Sequence, residues 1–380
     1  MPRLTSFSQS AFAGLGITRG PGFFELLYTL TNPNTGGGTS TADAYGDVVA
    51  ISNDWIVVSA PAESTNSGYV YVYNMSDGSL QYSLSNPNSE TTSTNDQFGR
   101  GNIALNGNNL IVGARAEYVS TSPQSGVAYI YDLTDGSLTY TLTNPNSYST
   151  GDYDQFGSSV AIDSTYAIVG APLEDAFQNN DSGFTYVFTL SNGVHTGSIG
   201  NPNTTFTKAL DSFGGSVATN GTLFAIAADG EDNPTNAAGV IHVYNTSQAL
   251  QRTIANPRSD SLRLGQYNKM DIDGNNLIAA SSTYVHVFDI TDGSEQRQLG
   301  QFSAPVTAVS IAGDYALIAS SNNSTIYDVY LYNWTTGELL ETVSPIDPVN
   351  FNSIHVSIHG TKLVIGDGAN NTAYVYQLNT

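Results

Sequence analysis

Aromatic and apolar residues alternate with other side chains in a stretch that returns seven times along the chain. Gly68-Tyr-Val-Tyr-Val-Tyr-Asn74 is the clearest copy, followed by Gly126-Val-Ala-Tyr-Ile-Tyr-Asp132, Gly183-Phe-Thr-Tyr-Val-Phe-Thr189 and Gly239-Val-Ile-His-Val-Tyr-Asn245. Later copies occupy 284–289, 328–333 and 372–377. Aromatics two positions apart share one face of a β-strand. The last aromatics of the copies are Tyr73, Tyr131, Phe188, Tyr244, Phe288, Tyr332 and Tyr376, with steps of 58, 57, 56, 44, 44 and 44 residues between them. A recurrence of this kind is the mark of a repeat architecture.

Three further patterns accompany the aromatic strand, here called c. A strand a follows an aromatic-Gly pair, as in Asp96-Gln-Phe-Gly99, Asp154-Gln-Phe-Gly157 and Asp211-Ser-Phe-Gly214. A strand b is a continuous apolar run, as in Asn109-Leu-Ile-Val-Gly-Ala114, which suits burial on both faces. A strand d ends in Asn-Pro, as in Leu80-Gln-Tyr-Ser-Leu-Ser-Asn-Pro-Asn88, where proline removes a ladder donor and opens a turn. Asp-Gly pairs in 76–79, 134–137 and 291–294 join c to d as hairpins. Four antiparallel strands per repeat predict an all-β, seven-bladed β-propeller. The last repeat reaches strand c at Tyr376, while a spare d strand, 24–31, precedes the first a strand. That N-terminal strand is expected to complete blade 7 and protect the open edges of the ring. The domain reading is a leader over 1–22 and a propeller over 23–380.

Composition changes the picture of partners. Hydrophobic residues are 40% and aromatics 11% of the 380, shares of a folded chain. Lys and Arg number 11 against 33 Asp and Glu, a formal charge of −22. Such a surface repels phosphate backbones and anionic bilayers, so neither nucleic acid nor membrane insertion is expected. The chain has no cysteine, which removes disulfides and thiolate chemistry. Residues 1–22 carry Arg3 and Arg19, with no acidic residue before Glu25, and their apolar run 11–17 is too short and Gly-rich for a secretory signal. They are expected to be a docking segment in which Phe7, Phe12, Leu15, Ile17 and Arg19 order on a partner.

Phe98-Gly99 with Gly113-Ala114, Phe156-Gly157 with Gly170-Ala-Pro172, and Tyr45-Gly46 with Ala60-Pro61 resemble the Phe-Gly/Gly-Ala-Pro repeats of integrin-α-type FG-GAP propellers. The resemblance is good through three repeats; blade 4 keeps Phe213-Gly214 but has Ala227-Ala228, and blades 5 to 7 lose the pair. It implies the propeller fold and leaves activity open, since propellers host many functions. Residues 8–21 resemble short leaders on virion-associated proteins of marine tailed phages. That likeness implies a protein docked on a particle through its N-terminal segment, with the following domain facing outward.

The antiparallel order places the d-to-a and b-to-c loops on one rim. Extra length in the early repeats falls in these loops, so the rim over blades 1 to 4 is raised. Loops on a rigid scaffold are where binding concentrates. The expected recognition surface comprises Tyr118, Tyr148, Tyr153, Phe177 and Asn179, with a host glycan or surface protein as ligand. His242 and His286 stand where other c strands carry Tyr, which makes them packing residues; His195 lies in the blade-3 hairpin. His355 and His359 are expected to flank an a-to-b turn, and their i, i+4 spacing is ligand spacing on a helix, not on a strand. Integrin-like repeats raise calcium as a cofactor. However, Glu174, Asp175 and Asp181, like Asp229, Glu231 and Asp232, lack the alternating spacing of an oxygen cage, and 271–275 reads as a turn. No catalytic residue, metal ligand or cofactor is assigned. The expected function is a non-enzymatic structural or adhesion protein of a virion. A bacterial secreted or cell-surface adhesin is the alternative, and a glycan-active enzyme would need a channel-mouth carboxylate or histidine cluster.

Overall fold

The computed structural model describes residues 23–35, 42–88, 94–119, 124–146, 153–175, 181–203, 210–232, 237–258, 262–321, 327–343 and 354–379. These residues form seven four-stranded antiparallel sheets. Blade 1 is built from Val49–Ile51, Trp55–Ala60, Tyr69–Asn74 and Leu80–Ser85 as strands a to d. Blade 2 follows with Ile103–Asn106, Asn109–Ala114, Val127–Asp132 and Ser137–Thr143. Blade 7 takes Ile354–His359, Lys362–Asp367 and Thr372–Leu378 from the C-terminal end and Phe24–Thr31 from the N-terminal end. The closing pair runs from Phe24 opposite Leu378 to Thr31 opposite Thr372, with one irregularity between Leu26 and Tyr28. Phe24 meets Tyr376 edge-on at 5.7 Å, and Leu30 is buried.

The burial of each strand follows its sequence pattern. Strand b is buried almost throughout, as in Ile56 to Ala60 and Leu110 to Ala114. Strand d buries one residue in each of blades 1 to 5 (Leu84, Leu142, Ile199, Ile254 and Leu299), Leu30 in blade 7 and none in blade 6, and leaves the others partly or fully exposed. It is therefore the outer strand, which is why its sequence is polar. Strand a lies innermost, and the a strands together line an axial cavity of about 470 Å³.

The apolar cores lie between blades. One cluster joins Val57, Val70 and Val72 of blade 1 to Phe98, Val112 and Tyr129 of blade 2, and six more repeat this arrangement around the ring. The cluster of Tyr45, Val58 and Tyr71 with Val364 and Val375 joins blade 1 to blade 7. In the early blades the aromatic of the Phe-Gly pair wedges beneath the c-strand aromatics. Phe98 lies 5.8 Å from Tyr129, and Phe156 lies 5.8 Å from Tyr186. Neighbouring backbones come so close here that a Cβ on Gly126, whose φ is +84°, would overlap the Phe156 carbonyl. Glycine before strand c is thus a condition of blade-to-blade contact.

Removing residues 1–22 is expected to leave the thermal midpoint unchanged. Removing 1–30 takes away the closing strand, and scanning calorimetry should then show a midpoint lower by at least about 5 °C or a loss of cooperativity.

Candidate functional site

The raised rim rests on a polar lock repeated four times. After strand d, the two asparagines of Asn-Pro-Asn converge on one carboxylate at the start of the next blade. Asn32 and Asn34 donate to Asp43 at 2.9 and 3.2 Å, and Asn86 and Asn88 donate to Asp96 at 2.9 and 2.7 Å. The distances are 2.8 and 2.7 Å for Asn144 and Asn146 on Asp154, and 2.7 and 3.1 Å for Asn201 and Asn203 on Asp211. The first asparagine of each pair also accepts the backbone N–H of the second at 2.8–3.0 Å, fixing the turn that aims both amides.

A second buried acid stands behind each of these aspartates, three residues past the alanine that ends strand b. Glu63, Glu117, Glu174 and Glu231 are at most 5% exposed. Tyr71 and Tyr186 each place a hydroxyl 2.8 Å from both oxygens of Glu63 and Glu174, Tyr129 donates to Glu117 at 2.6 Å, and His242 meets Glu231 at 3.0 Å. The b-to-c loop is thereby tied to the centre of strand c. Burial pushes the Glu174 carboxyl up to about 8, helped by the charge of Asp154. Burial likewise raises Asp211 to about 6, and raises Asp43 with a contribution from Glu63. Burial thus favours the protonated form of Glu174, Asp211 and Asp43 at the base of the rim.

The FG-GAP repeat family matches residues 35–73 and 149–188. Each match runs from a d-to-a loop through the aromatic-Gly pair, strand b and its buried glutamate to the aromatics of strand c. The fold is an FG-GAP-type seven-bladed propeller. No curated protein matches the chain significantly. Propellers of the FG-GAP type form a class that is generally non-enzymatic. Among the described residues, no three His, Asp or Glu side chains gather as a metal site. No helix among them is long and apolar enough to cross a membrane.

On this propeller Tyr118 and Tyr153 stand out from the rim, 44% and 55% exposed. Tyr153 has a φ of +65°, and it immediately precedes the locked Asp154. Tyr148, Phe177 and Asn179 lie outside the described residues, as do Phe7, Phe12, Leu15, Ile17 and Arg19. The acids weighed for calcium have structural partners. Glu174 and Glu231 turn inward to Tyr186 and His242, Asp175 accepts the N–H of Asp181 at 2.9 Å, and Asp232 accepts that of Ala237 at 2.7 Å. His242 and His286 are 3% and 0% exposed. His286 bonds Glu295 of strand d at 2.7 Å, and His195 packs 5.7 Å from Tyr186 and 5.5 Å from Phe188.

One expectation is corrected. His359 ends strand a of blade 7 at the a-to-b turn, as expected, but His355 lies inside that strand; both line the axial cavity. Two-residue alternation puts both on one side of the strand. Burial pushes His355 down to about 4, and its Nδ1 accepts the Val49 N–H at 3.5 Å. Residues 271–275 form the a-to-b hairpin of blade 5, as expected, with Asp271 itself inside strand a. Its carboxylate accepts Ser310 Oγ at 2.7 Å and the Ile311 N–H at 3.0 Å from blade 6. Ser310 Oγ in turn accepts the Ile358 N–H of blade 7 at 3.2 Å. Blades 5 to 7 are thus joined by polar links along their innermost strands.

Blade 5 carries Leu262 where Asp96 stands in blade 2. Asp96→Leu should strand two amide donors and cost about 2–4 kcal/mol, measured by denaturant unfolding. The pH dependence has a definite sign. Glu174 binds its proton more tightly folded than unfolded, so stability is greatest below its ordinary value of 4.5 and declines as pH rises through about 8. Calorimetry from pH 5 to 8 should show the midpoint falling by several degrees, and Glu174→Gln should flatten that decline.

Proposed function

We propose that this propeller is a virion-associated recognition module, attached through residues 1–22 and binding a host surface glycan or protein through the rim of blades 1 to 4. The observation that carries the reading is the asymmetry of the rim. Long b-to-c loops occur where the buried Asn–Asp and glutamate locks occur, and among the described residues blades 5 to 7 show neither lock and have short b-to-c connections. A loop tied to the sheet at its base loses less conformational freedom on binding than a free one. Tyr118 and Tyr153 supply broad, amphipathic contact area on that base. The likeness of the leader to virion-associated proteins supports attachment, and an acidic, cysteine-free surface is compatible with work outside a cell.

The paired variant Tyr118→Ser/Tyr153→Ser should leave the thermal midpoint unchanged and lower binding to host cells or a glycan array at least tenfold. Full binding by that variant would remove the rim from the proposal. Deleting 1–22 should release the folded ring from particles, as read by co-sedimentation; a truncated chain that still sediments with them overturns the attachment.

A further inference from the structure

The departures of individual blades from the shared repeat converge at one place. Arg115 occupies the position held by Pro61 in blade 1 and Pro172 in blade 3. Arg100 stands after the Phe-Gly pair, where blade 1 has Asp47 and blade 3 has Ser158. The segment from the Phe-Gly aromatic to the a-to-b turn takes seven steps in blade 3 (Phe156 to Asp163). It takes eight in blade 2 (Phe98 to Asn106) and nine in blade 5 (Leu264 to Asp273). The added residues bring blades 2 and 5 together across the axis. Asn268, at a φ of +56°, donates its side-chain amide to the Gly101 carbonyl and lies 3.5 Å from that of Ser158. This contact lies at the starts of the a strands, on the rim that carries the long loops.

Charged groups surround that contact. Arg100 is adjacent in sequence to Gly101, and Tyr267 and Lys269 flank Asn268. Arg115, whose Nε donates to Gln97 at 3.4 Å, is largely buried within electrostatic reach of Arg100, Tyr267 and Asp47. Arg263 binds Asp229 at 3.2 Å, and Lys269 lies near the same Asp229 while donating to Gln266 at 2.9 Å. Four of the eleven basic residues of a chain with net charge −22 therefore share one mouth with two carboxylates. Among the described residues neither Arg100 nor Arg115 has a carboxylate within ion-pair distance. Two like-charged guanidiniums brought together beneath a rim, one of them mostly out of water, raise each other's cost unless an anion joins them.

We infer that the rim-side mouth of the axis is an oxyanion-binding site, formed by Arg100, Arg115 and Lys269 with Tyr267 beside them. Guanidiniums match the paired oxygens of carboxylate, sulfate and phosphate, and the lysine adds a point charge. The acidic remainder of the surface keeps anions away from other positions, so selectivity comes from the one basic mouth. The site does not use Tyr118 or Tyr153, and it stands or falls separately from the loop-rim reading.

The test uses the full chain, titrated with sodium sulfate, sodium phosphate and sodium glucuronate against sodium chloride at matched ionic strength, followed by thermal shift and calorimetry. At least one of the three should raise the midpoint saturably, and which one responds distinguishes a sulfate, phosphate or carboxylated-sugar ligand. Arg115→Pro and Arg100→Ser install residues that blade 3 already uses at these positions, and should weaken binding at least tenfold. Lys269→Gln should weaken it as well and serves if either arginine variant fails to fold, while Lys362→Gln, on strand b of blade 7, should bind as the parent does. No saturable response to any of the three anions overturns the inference. So does unchanged affinity in the folded variants of Arg100, Arg115 and Lys269.

Discussion

No blade of this protein contains its own core. Every apolar cluster is shared between neighbours, so each sheet buries its faces only when a blade stands on both sides of it. Ring closure follows from that constraint. A seventh blade without its outer strand would leave Tyr376 and its neighbours uncovered and an unpaired edge exposed. The pairing of Phe24–Thr31 with Thr372–Leu378 supplies that edge and couples the two ends of the propeller. Apolar burial drives the ring to form, but it is non-directional and does not by itself fix how one blade sits on the next.

Orientation comes from polar contacts, and the chain uses two kinds. Blades 1 to 4 use the asparagine pair, aspartate and glutamate near the rim, with a tyrosine in blades 1 to 3 and His242 in blade 4. Blades 5 to 7 use Asp271, Ser310 and the Ile358 amide along the axis. The first arrangement fastens the bases of long loops while leaving their tips free. The second fastens the inner strands, in blades whose b-to-c connections are short. Step lengths of 56–58 residues and of 44 residues thus correspond to two ways of orienting adjacent sheets.

The acidity of the chain is likewise unevenly used. Eight carboxyl groups are committed to the four locks, burial raising Glu174 and Asp211 among them, and others close turns. The basic residues are few, and four of them meet at the axial mouth. Charge that looks diffuse in composition is therefore concentrated by the fold into buried acid pairs and one basic opening.

Much of the fold was legible in the sequence because strand periodicity is local. Alternating aromatics, Asp-Gly turns and continuous apolar runs reveal themselves within ten residues, and seven recurrences gave the blade count and the closing strand. The exposed positions of Tyr118 and Tyr153 were legible for the same reason, lying in loops between recognisable strands. The lock was only half legible. Asp-x-Phe-Gly, Ala-x-x-Glu and Asn-Pro-Asn each recur, but they are separated along the chain, and only folding shows that they meet at one point. His355 was misplaced because strand a of blade 7 and the turn after it are both partly polar in sequence, and only register separates them. The convergence of Arg100, Arg115 and Lys269 had no local signal at all. Sequence fixes which residues alternate within a strand, since that depends on backbone geometry alone. Which side chains share the axis depends on blades up to about 170 residues apart closing into one ring, and that was decided by tertiary structure.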